Sequence, residues 1–339
     1  MTFRPAVLIN DTRIDPHHGC WRVMRTLEDQ LSRRGFQVVA RAPAHRDWRQ
    51  DVEVRRALES AALVVVNAEG TLHHDRPAGA ALLAVGAEAR AMGVPSALIN
   101  ASWQDNGPAF GAALGDFTLV AARESRSQAA MRAAGADPRL APDLSLFETV
   151  PQPASGRREV GFTDSVVRSA AVALDQARRR LGGRVTPILY HPPGLKGGLR
   201  NIRDGITRAD LSNPAFGLAS VRARLAARAA EFTNDRDYMA RVARLRLLVT
   251  GRFHAATFAL AAGTPLLAVE SNTHKISATL DDAGLEPWRR IEDPARLTAA
   301  DLEQAAAWTP REAASLADWI ADGRRRTTAL FDALAEIAL

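Results

Sequence analysis

Short apolar runs alternate with longer amphipathic stretches along the first half of the chain. Residues 6–9 and 61–66 are apolar runs of strand length, and 94–100 is a further predicted strand. The stretch 19–34 repeats its apolar positions every three or four residues before Gly35 ends it. A strand whose two faces are both apolar is typical of a sheet that is buried on both sides. The alternation of strand and helix predicts a mostly parallel sheet with helices on both faces.

A second α/β pattern follows a polar stretch rich in Pro, Gly and Ser between Pro142 and Gly156. The predicted strands are 159–162, 185–190, 245–250 and 265–269, and the predicted helices are 165–181, 219–232, 254–262 and 276–283. We therefore predict an α/β fold of two doubly wound, Rossmann-like domains that face one cleft, spanning residues 1–150 and 158–310. A capping box at Thr309 and Glu312, with Pro310 at the first helical position, predicts a last helix over 311–339 that crosses back to the first domain and bends at Gly323.

Composition excludes several classes of protein. The chain has 339 residues, of which 47% are hydrophobic, and a single cysteine, so a disulfide framework or a cysteine-rich metal site is excluded. The net charge of +6 comes mainly from arginine, since only Lys196 and Lys275 are lysines, and no basic stripe with aromatic residues indicates nucleic-acid binding. No signal peptide or membrane-spanning segment is evident, which predicts a soluble cytoplasmic protein and leaves peripheral membrane association and oligomeric state open.

The ends of two strands in the second half carry cationic residues. The run 245–250 leads into Gly251, Arg252 and His254, where a helix begins, and a helix N-terminus with an arginine is suited to bind a carboxylate or a phosphate. The alternative for this pair is a capping arginine and a packed histidine. The next strand leads into further polar residues, Ser271, Asn272, His274 and Lys275. Two neighbouring strand ends of this kind predict an anion site.

A basic, glycine-rich segment over 194–208 is predicted to close over an anionic ligand. The alternative is a solvated surface loop.

Polar residues also follow the strands of the first half. Glu69 is a candidate general base, and His73 and His74 are candidate proton carriers or hydroxyl-binding groups. Asn100 and Trp103 follow the next strand; Trp103 is either a platform for a sugar face or a core residue. Further candidates near the end of the first strand are Asp11 as a base and His18 as an acceptor-binding residue.

The pairs His17-His18 and His73-His74 raise the possibility of a metal site. We predict none, because the side chains of consecutive residues diverge and no His-x-x-x-His spacing is present. The chain also lacks the phosphate-binding loop, the dinucleotide fingerprint and the serine-hydrolase elbow, so no cofactor is predicted.

An ordered set of short motifs resembles the polysaccharide pyruvyl transferase family over most of residues 6–285. The matching segments are Val65 to His73, Ala122 to Ser125, Ala141 to Asp143, Thr250 to Ala255, Gly263 to Pro265, and His274-Lys275. At the end of the first strand the family usually has a Gly-Asn-x-Gly-Asp turn, where this chain has Asn10-Asp11-Thr12-Arg13. The resemblance implies a glycosyltransferase-B-like fold.

The resemblance also implies a reaction, the transfer of pyruvate from phosphoenolpyruvate, as co-substrate, onto two hydroxyls of a glycan or sugar precursor in exopolysaccharide and cell-envelope synthesis. On this hypothesis Arg252, Lys275 and Arg123 neutralise the donor, His254 is the acid or contacts the phosphate, and Glu69 or Asp11 is the base. Two alternatives stay open from the sequence: a glycosyltransferase that uses a nucleotide-activated sugar, with Glu270 on the ribose, and a non-catalytic protein that binds an anionic sugar.

Overall fold

The structure of the protein is a computed structural model, and it describes residues 3–150, 159–190, 228–229 and 234–339. The basic segment 194–208 lies outside the described residues, as does nearly all of the helix predicted over 219–232. The exception is Arg228–Ala229, which forms a two-residue strand rather than part of a helix. The chain divides into two compact units, residues 1–15, 20–147 and 320–339 in the first and residues 16–19 and 148–319 in the second.

The first unit is built on a parallel sheet of six strands. Its strands are β1 (Arg4–Asp11), β2 (Phe36–Pro43), β3 (Leu63–Asn67), β5 (Ser96–Ala101), β7 (Leu119–Ala122) and β8 (Arg139–Leu140), in the order β2-β1-β3-β5-β7-β8. The helices between them are α1 (His18–Ser32), α2 (Val52–Leu58), α3 (Pro77–Ala91), α4 (Pro108–Leu114) and α5 (Ser125–Ala133). A separate parallel pair, β4 (Leu72–His73) with β6 (Trp103–Gln104), was not predicted from the sequence.

Alternate residues of the central strands supply two different cores. Val7 and Ile9 of β1 pack in one hydrophobic cluster, whereas Ala6 and Leu8 pack in the other. Side chains of a strand point alternately to its two faces, so an apolar run with no polar position can be covered by helices on both sides. The parallel α/β arrangement predicted from the pattern is confirmed.

The second unit is built on a shorter parallel sheet in the order β10-β9-β13-β14. Its strands are β9 (Glu159–Ser165), β10 (Arg184–Val185), β13 (Leu245–Gly251) and β14 (Leu266–Ala268), with a separate pair formed by β11 (Leu189–Tyr190) and β12 (Arg228–Ala229). Its helices are α6 (Arg168–Leu181), α7 (Asp235–Ala243), α8 (Phe253–Ala261), α9 (Lys275–Asp282) and α10 (Ala299–Ala305). The two units therefore have separate sheets, as the sequence predicts.

The last helix, α11 (Pro310–Glu336), contributes to both units. Its start in the second unit has the predicted capping box, in which Glu312 N–H donates to the Thr309 hydroxyl and Thr309 N–H donates to the Glu312 carboxylate. Its end packs Leu330 and Phe331 into the core of the first unit. Gly323, where a bend was predicted, lies within a helix that is continuous from Pro310 to Glu336. A Cβ there would lie 2.8 Å from Cγ of Pro142, so the glycine permits close packing.

A fully buried ion pair joins the start of α11 to the second unit. Arg289 and Glu312 have no exposed side-chain surface, and Nε of Arg289 donates to Oε1 of Glu312 over 2.5 Å. The guanidinium also donates to the carbonyls of Leu266, Ala305 and Ala307, and it lies over the ring of Trp288 and over that of Trp308. These contacts replace the hydration that a buried charge loses. Among the described residues, no helix is both long enough and apolar enough to cross a bilayer.

Removing Glu312 should destabilise the protein strongly. Glu312→Ala leaves Arg289 buried without its counter-charge, which costs about 3–5 kcal/mol. The measurement is the urea-denaturation midpoint. Glu303→Ala is the matched control, because Glu303 pairs with Arg246 at an exposed position and its loss should change the midpoint little. Equal effects of the two substitutions would contradict the role given to the buried pair.

The same pair should make stability depend on pH in the acidic range. Burial by itself raises the pKa of Glu312, but the hydrogen bonds from Arg289 and from the Thr309 and Glu286 backbone outweigh it and lower the pKa from its usual 4.5 to about 2. Since the pKa is lower in the folded protein, this contribution is complete above pH 4.5 and is lost as the pH falls from there toward 2. The difference in midpoint between wild type and Glu312→Ala should shrink over that interval.

Candidate functional site

The carboxyl end of β13 leads into Arg252, a cationic residue of the second unit. Arg252 is the residue that precedes α8, and its backbone N–H donates to the Thr250 hydroxyl over 3.0 Å. Its Nε donates to Oδ1 of Asp164 over 2.7 Å, and its Nη2 donates to Oδ2 of the same carboxylate. This two-bonded ion pair fixes the plane of the guanidinium at the helix N-terminus, where backbone N–H groups favour an anion.

Asp164 was missed in the sequence because β9 was predicted to end at residue 162. The strand runs on to Ser165, so Asp164 reaches the same edge of the sheet as Arg252. Thr163 makes a second side-chain contact between β9 and β13, since its hydroxyl lies 2.6 Å from that of Thr250. A polar run directly after an apolar strand was the available signal.

His254 is buried in the first turn of α8 and packs edge-on against the ring of His17, with ring centroids 5.2 Å apart. Burial, and then the nearby His254 and Arg252, lower the pKa of His17 well below its usual value. An added Cβ at Gly19 would overlap Cβ and Cγ of His254. The absence of a side chain at Gly19 therefore allows the observed position of the His254 ring.

His18 is placed differently from the sequence-based expectation. It was assigned to the acceptor side of the first domain, but it lies in the second unit. There it stacks on Tyr238 with ring centroids 5.1 Å apart, and burial lowers its pKa to about 4. Its aromatic stacking and its neutral state at physiological pH indicate a packing role.

The polar segment after β14 folds back on itself. The carboxylate of Glu270 accepts hydrogen bonds from the backbone N–H groups of Ser271, Ile276 and Ser277, so it occupies the anion position at the start of α9. This arrangement argues against Glu270 as a ribose ligand. Nζ of Lys275 donates to Oδ1 of Asn272 over 2.6 Å, and Ser271 donates to the same oxygen. His274 immediately precedes α9 and is half-buried.

Three strand ends of the first unit adopt a left-handed backbone. The φ angles are +67° at Asn10, +44° at Glu69 and +58° at Asn100, which follow or end β1, β3 and β5. Such angles cost roughly 1–3 kcal/mol each for a residue other than glycine and concentrate at functional sites. The three residues thus mark one edge of the sheet as a candidate binding site.

A buried hydrogen-bond network joins these strand ends. Oε1 of Glu69 accepts from the Thr12 hydroxyl over 2.7 Å and from Nδ2 of Asn67 over 3.0 Å. Asn10 donates to the Asn67 carbonyl and Asn100 donates to Oδ1 of Asn67. Both donors to Glu69 use one carboxylate oxygen, so the carboxylate is oriented by the network. Asn67 and Thr12 were not singled out in the sequence.

Asp11 has a different environment from Glu69. Its carboxylate forms a two-bonded ion pair with Arg13, at 2.9 Å from Nε and 2.5 Å from Nη2. It also accepts from the Arg13 backbone N–H at the start of a short 3₁₀ helix. Asp11 is therefore a carboxylate that pairs with an arginine and caps a turn.

Arg123 lies deep in the first unit. Its Nη1 donates to Asp143 over 2.9 Å and its Nε donates to the Ser102 hydroxyl over 2.9 Å, with both charged side chains 1% exposed. Arg252 and Lys275 belong to the second unit. The structure thus gives Arg123 a buried counter-charge within its own unit.

Two expectations for the segment after β3 and β5 need correction. Trp103 is 2% exposed and packs with Phe110 in the core, so it is the core residue of the two alternatives rather than a sugar platform. The rings of His73 and His74 do not diverge, since their Nδ1 atoms lie 2.9 Å apart. A φ of +54° at His74 turns its side chain toward that of His73.

The two parallel sheets and their polar strand ends define a glycosyltransferase-B-like, Rossmann-type fold. Solved structures with the same fold include a putative UDP-N-acetylglucosamine 2-epimerase from Listeria monocytogenes, with 12% identity, a TM-score of 0.52, and coverage of 93% of this chain and 91% of that one. They also include S. aureus MnaA with UDP, with 11% identity, a TM-score of 0.51 and coverage of 93% and 91%. Anabaena HepE in complex with UDP and glucose has 14% identity, a TM-score of 0.54 and coverage of 97% and 99%.

The polysaccharide pyruvyl transferase family model matches residues 23–273, which is more than half of the chain. The chain belongs to this family, and the resemblance found in the sequence is confirmed. Family membership supports a glycan-modifying transferase. A comparison with curated protein sequences gave no match.

Substituting Gly19 should disturb the histidine of α8. Gly19→Ala places a methyl group where His254 packs, and overpacking of this kind costs roughly 1–3 kcal/mol. We expect a lower melting temperature and altered NMR signals of the His254 ring. Gly115→Ala is the control, because its added Cβ would meet only the Ala112 carbonyl at 3.3 Å and should have little effect. An unchanged His254 ring in Gly19→Ala would show that the close contact does not constrain it.

Proposed function

We propose that the protein transfers pyruvate from phosphoenolpyruvate onto two hydroxyls of a glycan or sugar precursor and forms a cyclic ketal. The observation that carries the proposal is the Arg252 guanidinium, held by Asp164 at the N-terminus of α8, with His254 two residues further on. The proposal assigns the donor to the second unit and the acceptor hydroxyls to the first.

The donor has two anionic groups, a phosphate and a carboxylate. Asp164 accepts hydrogen bonds from Nε and Nη2 of Arg252, and this pairing orients the guanidinium at the start of α8. A phosphate bound at this helix start is stabilised by the charge of Arg252 and by the dipole of α8. Lys275, the first residue of α9, adds a second cationic donor.

The reaction requires several proton transfers. Protonation of the methylene carbon of phosphoenolpyruvate makes C2 an electrophile, which the two hydroxyl oxygens attack in turn while the C2–O bond to phosphate breaks. Two hydroxyl protons are released, of which one balances the new methyl group and one leaves with hydrogen phosphate. His254 is the proposed acid, because its imidazole is a proton-carrying group in the first turn of α8, two residues after Arg252.

Glu69 is the proposed base for an acceptor hydroxyl. Thr12 and Asn67 hold its carboxylate through one oxygen, which orients the second oxygen. Asp11, the other carboxylate considered for this role, is bound to Arg13 through both oxygens. Both oxygens of Asp11 are thus occupied by the arginine. Asn100 and Asn10, in the same network, supply amides suited to sugar hydroxyls.

A nucleotide-sugar glycosyltransferase is the second candidate, because HepE and MnaA share the fold and were solved with UDP. The position of Glu270, whose carboxylate caps α9, removes the ribose ligand that this alternative would use.

Arg252→Ala should weaken the binding of phosphoenolpyruvate by about 10- to 150-fold, because a hydrogen bond to a charged group contributes about 1.5–3 kcal/mol. Arg252→Lys should restore only part of the affinity, since an ammonium lacks the planar fork. Isothermal titration calorimetry with phosphoenolpyruvate, and separately with UDP-glucose, measures both effects.

Arg246→Ala is the matched control for this experiment. Arg246 lies on the same strand, β13, but pairs with exposed Glu303, so its loss should leave the affinity unchanged. Binding of UDP-glucose without binding of phosphoenolpyruvate by the wild type would exclude pyruvyl transfer and favour the glycosyltransferase.

A further inference from the structure

An Asp-x-Arg motif forms two turns of the first unit. In the turn after β1, which we call the β1 turn (Thr12–Ile14), the carboxylate of Asp11 accepts from the backbone N–H of Arg13 over 3.0 Å and from its Nε over 2.9 Å. In the short helix after β2, Asp47 accepts from the backbone N–H of Arg49 over 3.1 Å and from its Nε over 2.8 Å. The local hydrogen bonds of the two turns are the same, so a difference in role comes from their surroundings.

The arginine of the β1 turn also contacts a second carboxylate. Nη1 and Nη2 of Arg13 donate to the two carboxylate oxygens of Glu28 in α1, over 3.2 Å and 2.8 Å. Its guanidinium is therefore held by Asp11 on one side and by Glu28 on the other, which fixes its plane. The side chain of Arg13 is 22% exposed, whereas that of Arg49 is 54% exposed. The β1 turn is thus tied to a helix by ion pairs that solvent screens less.

The backbone that leads into the β1 turn needs such support. The φ angle of Asn10 is +67°, and a residue other than glycine keeps this conformation only where the surrounding structure holds it. Nδ2 of Asn10 donates to the carbonyl of Asn67 over 2.6 Å, and the N–H of Ala44 donates to the carbonyl of Asp11 over 2.9 Å. These bonds fix the entry of the turn, and the contacts of Arg13 fix its body.

The middle residue of each motif is buried. Thr12 is 6% exposed, and its hydroxyl donates to Oε1 of Glu69 over 2.7 Å. At the equivalent position Trp48 is 3% exposed and packs in the hydrophobic core, where its indole N–H donates to the Ala81 carbonyl. The β1 turn therefore presents its middle side chain to the proposed base, whereas the second turn presents its own to the core.

We propose that Arg13 is a positioning residue for Glu69 and acts through the hydroxyl of Thr12. The guanidinium, held by Asp11 and Glu28, fixes the β1 turn, and the turn places that hydroxyl against Oε1 of Glu69. This role rests on the proposed function, in which Glu69 takes a proton from an acceptor hydroxyl. It adds no proton transfer to that reaction, because Arg13 and Thr12 only hold the carboxylate that performs it.

Loss of the Thr12 contact leaves the carboxylate of Glu69 held less firmly. Nδ2 of Asn67 is the other donor to the same oxygen, over 3.0 Å. With the Thr12 donor removed, the carboxylate can turn about the remaining bond, and a misplacement of about 1 Å can lower a rate by about 100-fold. Because the donor site is assigned to the second unit, turnover should fall while the affinity for phosphoenolpyruvate is retained.

Crystal structures of two full-length variants without ligand test the positioning role directly. Arg13→Gln removes the charge that holds the β1 turn, so the distance between the Thr12 hydroxyl and Oε1 of Glu69 should increase from 2.7 Å to more than about 3.5 Å. Arg49→Gln is the matched control, because it removes the arginine of the same motif at an exposed position and should leave that distance unchanged. An unchanged distance in Arg13→Gln would overturn the positioning role, whatever reaction the protein catalyses.

Glu28→Gln decides the question if Arg13→Gln does not fold. It keeps the pairing of Arg13 with Asp11 and weakens the contact with α1, so the same distance should increase by a smaller amount. An unchanged distance in this variant would then overturn the role.

Steady-state kinetics separate positioning from a general loss of stability. With phosphoenolpyruvate and methyl α-glucoside as substrates, Arg13→Gln and Thr12→Val should each lower kcat by about 10- to 100-fold and leave KM for phosphoenolpyruvate unchanged. Thr12→Ser retains the hydroxyl and should recover most of kcat. The double variant of Arg13→Gln with Thr12→Val should fall no further than either single variant, because both substitutions remove the same contact.

Multiplied effects in the double variant would show that Arg13 acts independently of Thr12 and would overturn the role. Arg49→Gln should leave kcat unchanged. Absence of phosphate release by the wild type would instead count against the proposed function, and the crystallographic distances would still decide whether Arg13 positions Glu69.

Discussion

The pairing of parallel strands that are buried on both faces is the constraint on which the remaining structure depends. A strand such as β3 has no polar position within it, so polar side chains can enter only where a strand ends. Parallel strands end on the same edge of their sheet, and this edge therefore collects the hydrogen-bonding groups of each unit. In the first unit it collects the amides and the carboxylate of the Glu69 network, and in the second it collects Arg252, Asp164 and Thr250.

Three arginines that each pair with a carboxylate differ in how far they are exposed to solvent. Arg289 and Arg123 are buried and each has a carboxylate partner, so neither charge is left unpaired inside the protein. Arg252 is 15% exposed and also has a carboxylate partner, but it stands at a helix start. The same chemical pairing is enclosed in the core in two places, and in the third it orients the group that we propose binds the donor.

Much of the fold could be predicted from local patterns, because strand length, helical period and the capping box at Thr309 depend on near neighbours in sequence. Partners across the fold could not be predicted in this way. Asp164 and Arg252 are 88 residues apart in the sequence. The hydrogen bonds from the first N–H groups of α9 to Glu270 depend on the conformation of the loop between them. The position of His74 depends on an unusual φ angle, which the residue type does not reveal.

The central claim is that the start of α8 binds phosphoenolpyruvate, and a crystal structure of the protein with this ligand tests it most directly. An anionic group of the ligand should contact the guanidinium of Arg252 and the first N–H groups of α8, with the Asp164 ion pair retained. Phosphoenolpyruvate bound away from the strand ends of the second unit, with no contact to Arg252, would contradict it.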